Sequence, residues 1–287
     1  MTLSEQRSTT AVDWARLEAE LPELATRYGE TSPFPFTVLE NFLVPGAARQ
    51  AAAEFPDSGG DWMAYVHWNE RKYANTQPET WSPLLRGIVD ELQSDRFLQF
   101  LERLTGIEHL IGDDTLEGAG LHQTRRGGFL NVHADFTVHP KRRTWRRRLN
   151  LLLFLNEDWL DEWGGALEFW STDVSRAEHK FAPLLDRAVI FDTSEDSFHG
   201  YPDGLTCPEA RTRCSIALYY YTEEQDPLVR STEYRARPGE RFRAVPIFLD
   251  KTALRVYDAL KRHLKISDAG ASRILRKLDR RSRPESE

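Results

Sequence analysis

Apolar positions recur at helical spacing through the first third of the chain and at alternating spacing beyond about residue 115. The pattern predicts helices first and a β-rich core second. Residues 11–28 read as a helix through Trp14, Leu17 and Leu21, which Pro22 is expected to kink or divide. Phe34 to Glu40 reads as a strand, and Pro45-Gly46 opens an alanine-rich helix that Pro56 and Gly59-Gly60 close. Two further helices carry the stripes Leu84, Leu85, Ile88, Val89, Leu92 and Phe97, Leu101, Leu104, the second ended by Gly106.

Beyond residue 115, short runs divided by turn residues predict strands at 116–123, 129–135, 147–155, 165–170, 187–192 and 212–222. That grammar suits a sandwich or barrel rather than a parallel sheet with crossover helices. The run Arg148 to Leu155 is apolar on both faces, which places it centrally, between the barrel interior and the helices. Two short C-terminal helices are expected around Leu254, Tyr257, Leu264 and around Ile274, Leu275, Leu278, with 281–287 disordered.

Composition narrows the class. With 287 residues, 40% hydrophobic and 29% charged, the chain can bury a sizeable core in one or two domains. The net charge of −7 divides into +6 for residues 251–287 and −13 for the rest, which argues against a surface that tracks a phosphate backbone throughout. Cys207 and Cys214, the two cysteines, fit neither a disulfide framework nor a zinc pattern. No apolar run is long enough to span a bilayer and the N-terminus does not resemble a signal peptide, so the expectation is a cytoplasmic protein with no membrane partner.

The chemistry concentrates in Gly127-Gly128-Phe129-Leu130-Asn131-Val132-His133-Ala134-Asp135. Alternation on a strand points His133 and Asp135 the same way, within reach of one metal ion. His199, after the run Ala188 to Asp192, is the best third ligand. Two imidazoles and one carboxylate on one side of a metal make the facial arrangement of non-haem Fe(II), with other positions open. His122 is held in reserve, whereas His67, His109, His139, His179 and His263 read as surface or capping residues. Fourteen residues past His199 stands Arg213, which shares a strand face with Ser215 and Ala217. If that face is interior, the guanidinium needs an anion: either a protein acid, or a dicarboxylate that binds Arg213 at one end and iron at the other. Arg211 shares the parity and ranks second.

His133-x-Asp135, His199 and Arg213-x-Ser215, in this order, resemble the Fe(II)- and 2-oxoglutarate-dependent dioxygenases of the prolyl-4-hydroxylase-like branch. Leu121-His122-Gln123, Arg147-Arg148-Leu149-Asn150, Gly164-Gly165 and His199-Gly200-Tyr201-Pro202-Asp203 extend the likeness over roughly residues 33–222. The resemblance implies an α+β fold: a double-stranded β-helix, or jelly-roll barrel, backed by N-terminal helices and followed by a short C-terminal helical extension. It divides the chain into a lead-in at 1–32, a dioxygenase domain at 33–222 with its barrel core at about 115–222, and a basic extension at 223–287.

The resemblance further implies that His133, Asp135 and His199 ligate Fe(II), and that Arg213, helped by Ser215, pairs with the distal carboxylate of 2-oxoglutarate. Gln123 stands ten residues before the first ligand, where relatives often place a tyrosine on the co-substrate. Phe154 occupies the position of a hydroxyl-bearing aromatic that helps hold the distal carboxylate, so Asn150 on the same face is expected to substitute. No catalytic residue beyond the metal centre is implied. The reaction would consume O2 and 2-oxoglutarate, with ascorbate as possible reductant, hydroxylate an unactivated C–H of a peptidyl residue (prolyl among the options) or a small metabolite, and release succinate and CO2. The retained Asp135 favours hydroxylation over halogenation.

Lys141, Arg142, Arg143, Arg146, Arg147 and Arg148 after the HxD pair suggest either a lid for an anionic substrate or a basic loop paired with the acidic body. In the aromatic segment 61–73, Trp62 and Trp68 are expected in the core, with a substrate-facing role as the alternative. Two other functions stay open: an oxidative nucleic-acid demethylase, which the charge of −13 and the lack of a second downstream arginine disfavour, and a non-catalytic binding barrel, which the complete ligand set disfavours.

Overall fold

The computed structural model describes residues 10–60 and 62–240; the expected C-terminal helices lie outside the described residues. Helix α1 (Trp14–Tyr28) is capped by Asp13, whose side chain accepts from the Arg16 amide, and Pro22 does not divide it. The buried face Trp14, Leu17, Leu21, Leu24 and Tyr28 holds the helix together across the proline. Strand β1 (Phe36–Leu39), helix α2 (Ala47–Ala53) and the hairpin β2 (Met63–His67) and β3 (Glu70–Asn75) follow. Next come α3 (Pro83–Leu92), with Ser82 as N-cap and Pro83 in the first turn, and α4 (Asp95–Thr105), ended by Gly106 at φ +74°.

The remaining strands are β4 (Ile111–Gly112), β5 (Gly120–Thr124), β6 (Phe129–Ala134), β7 (Trp145–Phe154), β8 (Leu167–Trp170), β9 (Ala177–Phe181), β10 (Arg187–Asp192), β11 (His199–Tyr201), β12 (Arg213–Glu223) and β13 (Glu233–Tyr234). They pair antiparallel in the order β1-β10-β7-β12-β5-β3-β6-β11-β8-β9, with β2 on β3, β4 on β12 and β13 on β6. The sheet curls until its ends meet: Phe169 of β8 lies 5.0 Å from Phe191 of β10, ring centre to ring centre, and Phe191 lies 4.8 Å from His199 of β11. This is the expected double-stranded β-helix.

Strand β7 is central, between β10 and β12, and its alternation divides the molecule. Leu149, Leu151 and Leu153 join the core beneath the helices, while Phe154 packs with Phe169, Val189 and Phe191 on the other face. Strand β12 does the same, with Cys214, Ile216, Leu218 and Tyr220 in the helical core. Arg213, Ser215, Ala217 and Tyr219 therefore line the barrel interior.

The aromatic segment forms most of the hairpin β2–β3, and this corrects half of the expectation made for its tryptophans. Trp62 is buried, but Trp68, expected in the core, sits at the hairpin tip and is 67% exposed. Of the histidines read as surface or capping residues, His67 lies in β2 and His179 in β9. His139 is fully buried, where its Nδ1 accepts from the amides of Lys141 and Arg142 and its Nε2 lies 3.2 Å from Asp113. It organises a turn from the inside. Among the described residues no helix is long and apolar enough to cross a membrane.

Candidate active site

Strand β6 delivers His133 on its inward face and Asp135 just past its end, and β11 pairs with it so that His199 stands directly opposite His133. The two imidazole centres are 4.5 Å apart. His133 Nδ1 donates to the Asn131 carbonyl and His199 Nδ1 to the Ser197 carbonyl, each at 2.9 Å. A carbonyl only accepts, so each Nδ1 carries a proton, and Nε2 is the ring nitrogen left to face a metal. Those Nε2 atoms lie 3.5 and 3.6 Å from the Asp135 carboxylate. Burial and the neighbouring His133 push His199 down to about 4, which keeps its ring neutral at pH 7. Burial alone would raise Asp135, but Arg147 and the two imidazoles hold its carboxyl well below the usual range. The three ligand atoms fall within 4.8 Å of one another, a donor set that could hold one metal ion. Two imidazole nitrogens and a carboxylate are a donor set that fits Fe(II).

Arg213 opens β12 on the same interior. It is 4% exposed, its Nε donates to the Gly165 carbonyl at 2.7 Å, and its Nη2 is buried with no partner. The guanidinium carbon lies 4.2 Å from the Tyr201 ring centre and 4.9 Å from that of Phe154. No protein acid pairs with it among the described residues. A buried guanidinium edge without an anion is costly on its own and fits a carboxylate guest. Gly165, at φ +77°, permits the approach: a Cβ there would stand 2.6 Å from Leu205 Cδ2 and 3.0 Å from Arg213 Cδ. Ser215 is buried two residues along the same face. Arg211 instead bonds the Glu157 carbonyl at the surface.

Two expected co-substrate contacts fall elsewhere. Gln123 lies on the helix-side face of β5: its Oε1 accepts from the Ser58 amide and its Nε2 donates to Thr212 Oγ1. Counting ten residues back from His133 reaches the wrong parity, because on β5 it is His122, opposite Ser215, and Thr124, opposite Arg213, that turn inward. Burial, and then Lys72, push His122 down to about 3, so it is neutral. Asn150 does face the interior, but its Nδ2 donates to Asp135 Oδ2 at 2.8 Å, the metal end rather than the Arg213 end.

The basic loop also divides. Lys141 pairs with Glu117, Arg142 with Asp114, and Arg146 and Arg148 with Glu224. These surface pairs match the reading of a basic loop paired with the acidic body. Arg146, Arg147 and Arg148 all lie in β7 rather than in the loop, and of the three only Arg147 is buried, 2% exposed and 3.0 Å from Asp135 Oδ2.

Sequence reasoning missed four interior groups. Tyr201 shares a 2.9 Å hydrogen bond with Thr124, beside Arg213. Lys72 pairs with Glu70 at 3.1 Å on β3. Tyr201 could have been found, since it follows His199 at strand period; the β3 pair could not, because its hairpin was not recognised.

Residues 119–221 match the family model of the 2OG-Fe(II) oxygenase superfamily. The match spans the barrel from β5 into β12 and includes His133, Asp135, His199 and Arg213. The chain is accordingly an enzyme of the dioxygenase class, with Fe(II) as metal and 2-oxoglutarate and O2 as co-substrates. Solved structures share the fold. A Pseudomonas putida prolyl-4-hydroxylase aligns at 20% identity and TM-score 0.50, covering 70% of this chain and 100% of its own. A Trichoplax adhaerens prolyl hydroxylase, solved with a peptide fragment of the hypoxia inducible factor oxygen degradation domain, aligns at 16% identity and TM-score 0.52, covering 73% and 93%. No curated protein matches the chain by sequence.

Proposed function

We propose that this oxygenase hydroxylates an unactivated C–H of a peptidyl residue or a small metabolite, with Fe(II) held by His133, Asp135 and His199 and 2-oxoglutarate anchored at Arg213. The observation that carries this reading is the buried, unpartnered Nη2 of Arg213 inside a barrel where two imidazoles and one carboxylate converge. Fe(II) and 2-oxoglutarate, when bound, would supply the oxidising power, with one atom of O2 going to succinate with loss of CO2 and the other to the substrate C–H.

The chain's own residues set geometry and exclude water. Arg213 offers the distal carboxylate a fork of donors, and the flanking rings of Tyr201 and Phe154 strip solvent from it, which strengthens the ion pair. Ser215 supplies a hydroxyl beside it. The Nδ1 bonds to Asn131 and Ser197 keep both imidazoles oriented and in the ligating tautomer.

A succinate-release screen over proline-containing peptides, free amino acids and metabolites, with ascorbate to keep iron ferrous, tests the reaction and finds the substrate. Anaerobic Fe(II) with 2-oxoglutarate should also give a visible charge-transfer band that His133→Ala or Asp135→Ala abolishes. Wild-type protein that yields neither band nor succinate overturns the reading.

A further inference from the structure

Arg147 holds its guanidinium between the rings of Tyr219 and Phe136, 3.4 and 4.6 Å from their centres. Its Nε and Nη2 both donate to Asn150 Oδ1, at 2.9 and 2.7 Å, and Nη2 also lies 3.0 Å from Asp135 Oδ2. A guanidinium only donates, so Asn150 must turn its carbonyl toward Arg147. That orientation aims Asn150 Nδ2 at the same Asp135 oxygen, 2.8 Å away. Two donors thus occupy Oδ2. The other oxygen, Oδ1, lies 3.5 Å from His133 Nε2 and takes neither of these donors, whereas Oδ2 carries both of them and also lies 3.6 Å from His199 Nε2.

The number of oxygens a carboxylate gives a metal matters here. Two imidazoles and one carboxylate oxygen leave three positions of an octahedron for co-substrate and O2. A second carboxylate oxygen would take one of them. Neither Arg147 nor Asn150 is needed merely to neutralise Asp135, since a metal would do that; what they add is a fixed direction for one oxygen.

We propose that Arg147 and Asn150 form a positioning clamp that occupies Asp135 Oδ2, restricts Asp135 to metal binding through Oδ1, and so keeps a position open for 2-oxoglutarate. The clamp rests on the assignment of His133, Asp135 and His199 to the metal. Arg147 and Asn150 are positioning residues, acting through Asp135 rather than on the reacting atoms.

The test uses the full chain, Co(II) as an O2-stable probe metal, and two variants that conserve charge, Asn150→Ala and Arg147→Lys. Circular dichroism checks that each is folded. At Co(II) concentrations that saturate each protein, calorimetry measures 2-oxoglutarate binding, and the visible Co(II) bands report coordination before 2-oxoglutarate is added. The clamp predicts shifted bands in the metal-only state and roughly tenfold weaker 2-oxoglutarate binding, the scale on which outer-shell partners act. A role confined to stability would lower the melting temperature and leave both readouts of the saturated protein at wild-type values; that result in either folded variant overturns the clamp. If wild-type protein binds no Co(II), or His133→Ala binds it equally well, the metal assignment falls and takes the clamp with it. Loss of Co(II) in His133→Ala beside unchanged 2-oxoglutarate binding in Asn150→Ala overturns the clamp alone.

Discussion

On the proposed reading, a single guanidinium decides whether the barrel interior can hold a dicarboxylate. Arg213 has one donor satisfied by Gly165 and another with no partner, so a carboxylate guest gains a desolvated, charge-assisted hydrogen bond. Arg213→Met should therefore raise the KM for 2-oxoglutarate by about 30-fold or more, corresponding to about 2 kcal/mol or more for a buried charged pair. Initial rates at varied 2-oxoglutarate check it, and an unchanged KM would remove Arg213 from the co-substrate site. Gln123→Ala should behave oppositely. Its side chain ties the Ser58 amide to Thr212 on the far face of β5, so the variant should lose about 1 kcal/mol of stability and leave that KM within about twofold. Residue identities for these contrasts are legible in sequence; the face each one occupies is not. Gln123 and Thr124 are neighbours, and only the pairing of β5 with β12 says which of them looks at Arg213.

At the scale of elements, β7 links the two halves of the protein, with Leu151 fully buried under the helices and Asn150 beside it facing the site. Leu151→Ala should cost about 2–5 kcal/mol by cavity formation, seen as a lower midpoint in denaturant. The turn entering β10 carries a different load. Burial pushes the Asp186 carboxyl up to about 6, against the Leu43 amide that it accepts and the nearby Arg16. Its folded value exceeds its unfolded one, so its favourable contribution is full below about pH 4 and is lost as the pH rises through about 6. Asn keeps the acceptor, carries no charge and tolerates the residue's φ of +63°. Asp186→Asn should therefore stabilise the protein at pH 7.5 by about 1–2 kcal/mol, after allowance for solvent screening, with the gain gone by about pH 4. Melting temperatures across that range check the sign. Element types were legible because periodicity is local: the predicted strand 187–192 coincides with β10. The hairpin β2–β3 was not, because its alternation is broken by charged and aromatic residues on a face that is only partly buried.

For the whole molecule, the sheet closes on itself, and closure brings β6 and β11 under the core that β7, β10 and β12 share with the helices. The basic stretch after Asp135 is spread by this closure into surface ion pairs and one interior cation. Exposed pairs of that kind contribute about 0–1 kcal/mol each. Neutralising Arg142, Arg143 and Arg146 together should thus change substrate KM by less than about twofold and weaken its salt dependence little. A large rise in KM would restore the lid for an anionic substrate.

The sequence by itself determined the order of helices before strands, the central place of β7, and the residue types and spacing of His133, Asp135, His199 and Arg213, since each depends on local periodicity or on side-chain chemistry. Only the tertiary structure decided what Gln123, Asn150 and Arg147 touch. Strand pairing sets the face and depth of a polar residue, and neither is encoded in its neighbours along the chain. Arg147 stands in a run of basic residues, yet its partner is the carboxylate twelve positions earlier, reached because β7 passes beside the end of β6 inside a closed barrel.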